Sequence, residues 1–101
     1  MSEPYKVTAV FDEETLPAGL RRVHSTKAGT WGLIRVLEGR LRLAFPDTGE
    51  AFQLSPQAPG LVAPEEPHLV EPLEPFRMQV EFHRKRPASP AARGARASAS
   101  G

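Results

Sequence analysis

Two histidines, His24 and His68, are the residues of this sequence whose types and positions best suit chemistry. His24 ends a predicted strand just before the glycine-containing segment STKAGTWG, and His68 begins a later predicted strand after the turn PEEP. A neutral imidazole is a common ligand of divalent transition metals. The placement on different strands therefore favours a metal site as one interpretation. A core or surface position for either histidine is the alternative, because no local motif surrounds them.

A pair of imidazoles needs a carboxylate as third ligand, because neutral ligands leave the charge of a divalent cation uncompensated. Two glutamates are candidates, Glu71 shortly after His68 and Glu81 on the last predicted strand. Alternation along that strand places Glu81 on the face opposite Phe82, so Glu71 is the better ligand if the apolar face fills the core. The predicted metal ligands are His24, His68 and Glu81, with Glu71 as the alternative carboxylate.

Two further side chains are assigned positions around this site. Lys27 and Trp31 are predicted at its rim, where they would contact a bound cofactor or ligand. A solvated loop position is the alternative for Lys27, and a core position is the alternative for Trp31. His83 adjoins a run of basic residues and is expected to be solvated.

Many other kinds of site are excluded by the sequence. It contains no GxGxxG, P-loop, HExxH or serine nucleophile elbow. It has no cysteine, which excludes disulfides, thiolate metal sites and cysteine nucleophiles and suits a reducing cytoplasm. The polar N-terminal stretch MSEPYKVTAVFDEE does not resemble a signal peptide, and no apolar run approaches the roughly 18 residues of a membrane span. We therefore expect a cytoplasmic protein with no membrane partner.

Short strands are the elements that must position these residues. Eleven prolines and eight glycines among 101 residues argue against long helices. Turn residues recur at roughly 8–12-residue spacing, which is typical of an all-β sandwich or barrel. Gly39 is predicted to close a tight hairpin between the third and fourth strands. Strands are predicted at residues 5–11, 20–24, 31–37, 40–45, 50–54, 60–63, 68–71 and 76–83.

Charge is distributed unevenly, although the formal net charge is only +1. Five of the thirteen basic residues and none of the twelve acidic residues lie in residues 84–101, so residues 1–83 carry eight basic and twelve acidic residues. Such a body does not offer the positive surface that nucleic acids require, and no specific nucleic-acid partner is expected. Residues 85–101 have almost no apolar surface to bury and are predicted to be a disordered basic tail.

Three stretches of the sequence resemble a known family. LPAGLRRVHSTKAGTWGLIRVLEGRLRL, GLVAPEEPHLVEPL and FRMQVEF are similar to the TehB/YeaR-like domain, a small cupin-type domain that occurs alone or ahead of a methyltransferase domain in some tellurite-resistance proteins. The resemblance covers residues 5–83, and the domain is assigned to residues 1–84. VLEGRLRL resembles the end of the first cupin motif, and PEEPHLVE resembles the second.

The resemblance implies a cupin-like double-stranded β-helix, a small β-barrel of two antiparallel sheets with a site in its mouth. It implies that His24 and His68 are the histidines of the first and second motifs. Thr26 stands where the second histidine of the first motif is usual, and Thr30 and Trp31 stand where a glutamate is usual. A metal site with four protein ligands is therefore not expected.

The family also has an acid at the position of Glu81 and another at the position of Glu71. This similarity implies a divalent transition metal, such as Zn, Fe or Ni, held by two histidines and one carboxylate. Cupin-type domains commonly pair, which implies a homodimer. The resemblance does not extend to the methyltransferase domain, so tellurite methylation is not expected of these residues.

Three function classes follow from these observations. The first is a binding domain for a metal and a small-molecule or oxyanion ligand, in a stress or tellurite-type response. The second is a metal-dependent enzyme that uses the same two histidines and one carboxylate, with an open coordination position. The third is a metal-free domain for dimerisation or interaction. The first class is the prediction adopted here.

Overall fold

The computed structural model describes residues 4–87, and within them the chain forms eight β-strands and one helical turn. The prediction of an all-β fold is therefore confirmed. No helix in this range is long and apolar enough to cross a lipid bilayer. The elements in chain order are β1 (Lys6–Val7), β2 (Phe11–Asp12), α1 (Ala18–Arg21), β3 (Trp31–Glu38), β4 (Leu41–Phe45), β5 (Glu50–Leu54), β6 (Gly60–Val62), β7 (Leu69–Pro72) and β8 (Arg77–His83).

The strands form two antiparallel sheets. The five-stranded sheet has the order β1-β8-β3-β6, with β2 also paired to β8, and the three-stranded sheet has the order β5-β4-β7. The pairing of β3 with β8 runs from Trp31 opposite His83 to Glu38 opposite Arg77. No strand pairing within residues 4–87 joins the two sheets into a closed barrel.

Alternating side chains of the two sheets form the hydrophobic core. Along β4, Leu41, Leu43 and Phe45 are at most 1% exposed, whereas Arg42 between them is exposed. Phe45 packs edge-on against Phe52 of β5 at a centroid distance of 5.7 Å. Fully burying a leucine or phenylalanine side chain contributes about 1.5–3 kcal/mol, so this period-2 pattern fixes which face of each strand turns inward.

Two predicted strands differ from the structure. The strand predicted at residues 20–24 is wrong, because the chain forms α1 here and His24 is paired only through an isolated bridge. Pro17 precedes this turn and its carbonyl accepts the Leu20 N–H. The strand predicted at residues 5–11 is divided into β1 and β2. Between them the hydroxyl of Thr8 accepts the Val80 N–H and so replaces a backbone acceptor of the ladder.

The predicted hairpin around Gly39 is also wrong. β3 pairs with β6 and β8, whereas β4 pairs with β5 and β7, so the connection passes from one sheet to the other. Gly39 has a φ of +79°, and a Cβ atom at this position would lie 2.1 Å from the carbonyl oxygen of Pro75. Glycine is required here by both the backbone conformation and the close approach of a later loop.

The domain predicted over residues 1–84 contains all the strands of the structure, while most of the tail predicted over residues 85–101 lies outside the described residues. Of that segment, Lys85 and Arg86 are exposed and Pro87 is buried. The Arg86 guanidinium carbon lies 5.8 Å from the centroid of the Trp31 ring.

Candidate functional site

His24 and His68 are brought together by an isolated antiparallel bridge. The His24 N–H donates to the His68 carbonyl at 2.9 Å, and the His68 N–H donates to the His24 carbonyl at 2.8 Å. Directly opposed residues of an antiparallel pair project their side chains to the same face. The two imidazole centroids are accordingly 4.2 Å apart, with an interplanar angle of 58°. The predicted meeting of the two histidines is therefore present in the structure.

Each imidazole is oriented by a main-chain carbonyl two residues earlier. The Nδ1 atom of His24 lies 2.9 Å from the Arg22 carbonyl oxygen, and that of His68 lies 2.8 Å from the Glu66 carbonyl oxygen. A carbonyl oxygen can only accept, so both Nδ1 atoms carry the proton. In the neutral ring the lone pair then belongs to Nε2, which has no hydrogen-bond partner among residues 4–87 for either histidine. Such a backbone contact is the usual support of a metal-binding histidine.

The protonation of His68 is controlled mainly by its burial, since the residue is only 3% exposed. Burial lowers the pKa of His68 below its ordinary value, and the neighbouring His24 lowers the pKa further. The hydrogen bond to the Glu66 carbonyl acts in the opposite direction without reversing the shift. His68 is therefore neutral at pH 7, and its Nε2 atom offers a lone pair.

The histidine pair lies on the wall of a cavity of about 760 Å³. Ligand pockets in proteins usually have volumes of about 300–1,000 Å³ and are mostly apolar. The walls of this cavity match that description, because inward-facing residues of the five-stranded sheet and of β7 form most of its surface. These residues include Ile34, Val62, Val70, Met78, Val80 and Phe82.

A short loop between His24 and β3 completes one side of the cavity. The Thr26 hydroxyl donates to the Thr30 carbonyl at 2.7 Å, and the hydroxyls of Thr30 and Tyr5 are 3.1 Å apart. The Thr30 N–H donates to the Lys27 carbonyl, with Gly29 at a φ of +78° in the turn between them. The loop is thus held by its own hydrogen bonds, and the Thr26 hydroxyl is occupied by the main chain.

Neither candidate carboxylate joins the histidine pair. Val80 and Phe82 of β8 line the cavity, so Glu81 between them projects to the other face of the sheet. There Glu81 accepts a hydrogen bond from Arg35 at 2.6 Å. Glu71 follows the cavity residue Val70 on β7, so its side chain also projects away from the cavity. No group of three or more metal-binding acids, histidines or cysteines occurs within the described range, 4–87.

Glu71 is held in an exposed ion pair with Arg42, at 2.5 Å. Of the predicted metal ligands, the structure therefore brings only His24 and His68 together.

The two predicted rim residues have different positions. Lys27 lines the cavity, as predicted. Trp31 does not, because Gly32 and Ile34 are the residues of β3 that line the cavity and Trp31 lies on the opposite face, with Arg86 beside its ring. Sequence analysis missed Lys6, which also lines the cavity. Its register opposite Phe82 places it on the inner face, and no local pattern in the sequence gives that register.

The expectation that His83 is solvated is wrong. His83 is 3% exposed, and its Nε2 atom lies 3.1 Å from Oε1 of Glu81. Its Nδ1 atom is buried and has no hydrogen-bond partner within residues 4–87. The residue ends β8 opposite Trp31, on the face away from the cavity.

Comparison with known proteins defines the family. A family model of the TehB-like domain matches residues 6–80, which is most of the chain. This chain belongs to the TehB-like domain family. The crystal structure of TehB from Haemophilus influenzae is similar, with a TM-score of 0.74 and 28% sequence identity over 84% of this chain. The matched region is 32% of TehB, so this chain spans about a third of that protein's length.

A second solved structure shares the fold. A protein from E. coli strain K12 superimposes with a TM-score of 0.73 over 81% of this chain and 89% of its own length, at 17% identity. No curated protein sequence matches the chain. The fold therefore occurs both in a part of a longer chain and in most of another chain.

Proposed function

We propose that this TehB-like domain binds a small molecule in its cavity, within a fold of the cupin double-stranded β-helix type. The cavity itself carries the proposal. Its volume of about 760 Å³ suits a small organic ligand, its walls are mostly apolar, and the histidine pair is among the polar groups that line it. The similarity to TehB supports a role in an oxyanion or tellurite-type response, while TehB extends well beyond the part that this chain matches.

A neutral fluorescent probe tests whether the cavity binds ligands. The probe is 1-aminoanthracene, titrated into the wild-type chain and into Val80→Phe, which adds a ring to the cavity wall. We expect the probe to bind the wild type and to bind Val80→Phe about tenfold more weakly or worse, because the added ring takes its space. Val7→Phe is the matched control, because Val7 is 44% exposed and does not line the cavity.

Overpacking by Val80→Phe costs about 1–3 kcal/mol, so folding is checked by circular dichroism. Phe82→Trp, at a partly buried position of the same wall, is the second variant. Equal affinity of the wild type and both wall variants would overturn the proposal that the probe enters the cavity.

A divalent transition metal is the second candidate ligand, and the two Nε2 lone pairs favour it. His24 and His68 would hold Zn, Fe or Ni through Nε2, each with Nδ1 fixed on a main-chain carbonyl. The two imidazoles would supply two neutral ligands, and a bound anion would have to supply the negative charge that no nearby carboxylate of residues 4–87 provides. A bound ion would act as a Lewis acid and attract anionic groups.

Zinc titration by calorimetry tests this second candidate. We expect His24→Ala and His68→Ala to weaken zinc binding about tenfold or more, because each removes one of two protein ligands. Glu81→Gln is the informative control, since the structure directs Glu81 away from the histidines. Zinc affinity that is unchanged in both alanine variants would overturn the metal proposal. A loss of zinc affinity in Glu81→Gln would indicate that Glu81 is a ligand, contrary to its position in the structure.

A further inference from the structure

We propose that the natural ligand of the cavity is an organic anion, with an apolar body against the sheets and a carboxylate head at Lys6 and Lys27. This inference rests on the proposed function, since it names the chemical class of the molecule that the cavity binds. Two observations carry it: the charges on the cavity wall and the size of the apolar wall.

The charged side chains on the cavity wall are all of one sign. Lys6 and Lys27 line the cavity, and no aspartate or glutamate does so among the described residues. Neither lysine has an ion-pair partner in the described part of the chain. Two uncompensated ammonium groups beside an apolar wall give a positive potential that attracts an anion.

The arginines of the sheets show that this arrangement is local to the cavity. Four arginines on or beside β3, β4 and β8 are each paired with a glutamate, whereas Arg84 after β8 lies over the Tyr5 ring. The pairs are Arg35–Glu81, Arg40–Glu74, Arg42–Glu71 and Arg77–Glu38. Glutamates therefore neutralise the arginines within these strands, and the two cavity lysines have no such partner among the described residues.

The apolar wall requires more than an inorganic oxyanion. Ile34, Met78 and Val80 offer hydrocarbon surface that a small inorganic anion would leave uncovered. Each methylene group buried against such a wall adds about 0.8 kcal/mol of favourable transfer free energy. A ligand with a hydrocarbon body of several carbons therefore gains affinity that sulfate or a similar ion cannot gain.

The lysines provide the donors for the anionic head. The Nδ1 atoms of both cavity histidines already lie against main-chain carbonyls. A lysine ammonium can donate up to three hydrogen bonds to a carboxylate. Lys6 and Lys27 are therefore assigned the carboxylate head of the ligand.

A matched set of eight-carbon probes tests the inference by calorimetry at pH 7.5 and low ionic strength. Octanoate, 1-octanol and octylammonium share the hydrocarbon body and differ in head charge. We expect octanoate to bind about tenfold more tightly than 1-octanol, because only octanoate pairs with the lysines. We expect Lys27→Met and Lys6→Met each to weaken octanoate binding several-fold and to leave 1-octanol binding unchanged. Lys85→Met, at an exposed lysine that does not line the cavity, is the control and is expected to change neither.

The outcomes separate this inference from the proposed function. Equal affinity for octanoate and 1-octanol, or tighter binding of octylammonium, would overturn the assignment of an anion and leave cavity binding intact. Sulfate that displaces octanoate at equal affinity would overturn the role of the apolar body. Failure of all three probes while 1-aminoanthracene binds would also overturn the inference. Failure of all four molecules would overturn the proposed function itself.

Discussion

The cavity histidines and His83 differ in which ring nitrogen the protein occupies. His24 and His68 each use Nδ1 to donate to a main-chain carbonyl and leave Nε2 without a partner at the cavity. His83, on the face of β8 away from the cavity, uses Nε2 to contact Glu81, and its buried Nδ1 atom has no partner among the described residues. His68 and His83 are equally buried, at 3% exposure each, so burial alone does not distinguish them.

The difference shows how the type of acceptor sets the chemistry available to a histidine. A main-chain carbonyl orients the ring and adds no charge, so the free nitrogen of His68 can bind a ligand. A carboxylate such as Glu81 fixes the ring within an ion-pair cluster that also contains Arg35. We therefore interpret the first arrangement as a binding site and the second as a support of the sheet.

Removal of the Glu81 side chain is the change expected to have the largest effect on stability. Glu81→Ala leaves the Nε2 atom of His83 without its acceptor in a buried position and also removes the partner of Arg35. We expect the free energy of unfolding to fall by about 2 kcal/mol, because an unsatisfied buried polar group costs about 1–3 kcal/mol. Urea denaturation followed by circular dichroism measures this change.

Glu71→Ala is the matched control, since it removes the ion pair with Arg42, in which both side chains are nearly half exposed. Exposed pairs contribute about 0–1 kcal/mol. A cost for Glu81→Ala no greater than that for Glu71→Ala would contradict a structural role for the contact between His83 and Glu81.

The stability of the folded chain is expected to depend on pH through His68. Its pKa is lowered in the folded chain, chiefly by burial, from the ordinary value of 6.5. Between the two pKa values the unfolded chain binds more protons, so the free energy of unfolding rises with pH. This part of the stability is present above about pH 6.5 and is lost as the pH falls through that value towards the lower pKa of the folded state.

Urea denaturation at pH 7.5, 6.5 and 5.5 measures the slope for the wild type and for His68→Phe. We expect the variant to show the shallower slope over this range, since it lacks the group that must become charged on acidification. Parallel slopes would show that His68 accepts a proton as easily in the folded chain as in the unfolded chain.

Determining the tautomers of the three histidines tests the comparison most directly and requires no substitution. We expect nitrogen-15 NMR at pH 7.5 to show the proton on Nδ1 in His24 and His68, because their Nδ1 atoms face carbonyl oxygens. We expect Nε2 of His83 to carry a proton, because it faces the Glu81 carboxylate. An Nε2 proton on either cavity histidine would remove the lone pair on which the metal proposal depends.

Local patterns in the sequence predicted the elements whose side chains alternate strictly. Alternation over residues 76–83 predicted β8 and set Glu81 opposite Phe82, and the structure has this arrangement. The segment 50–54 was predicted with the bounds that β5 has. Both segments place apolar residues on one face, so burial of that face fixes the conformation. The two histidines were also predicted to meet, although that prediction drew on the resemblance to the cupin motifs.

Features that depend on distant partners could not be predicted in this way. The sequence around Gly39 is compatible with a hairpin, and only the position of Pro75 shows that the chain crosses to the other sheet. Lys6 reaches the cavity through its register opposite Phe82. The burial of His83 depends on its pairing with Trp31. In each case the deciding contact joins residues far apart in the sequence.

The bridge between His24 and His68 is made by main-chain atoms alone, so either side chain can be exchanged while the two hydrogen bonds that align the positions are kept. Cα atoms of such a hydrogen-bonded antiparallel pair are about 5.5 Å apart, which lies within the range of about 4.4–6.8 Å that a disulfide spans. A chain with cysteine at both positions, and no other cysteine to compete, could therefore form a disulfide bond beside the cavity. A reducing agent would cleave that disulfide, and an oxidant would form it again.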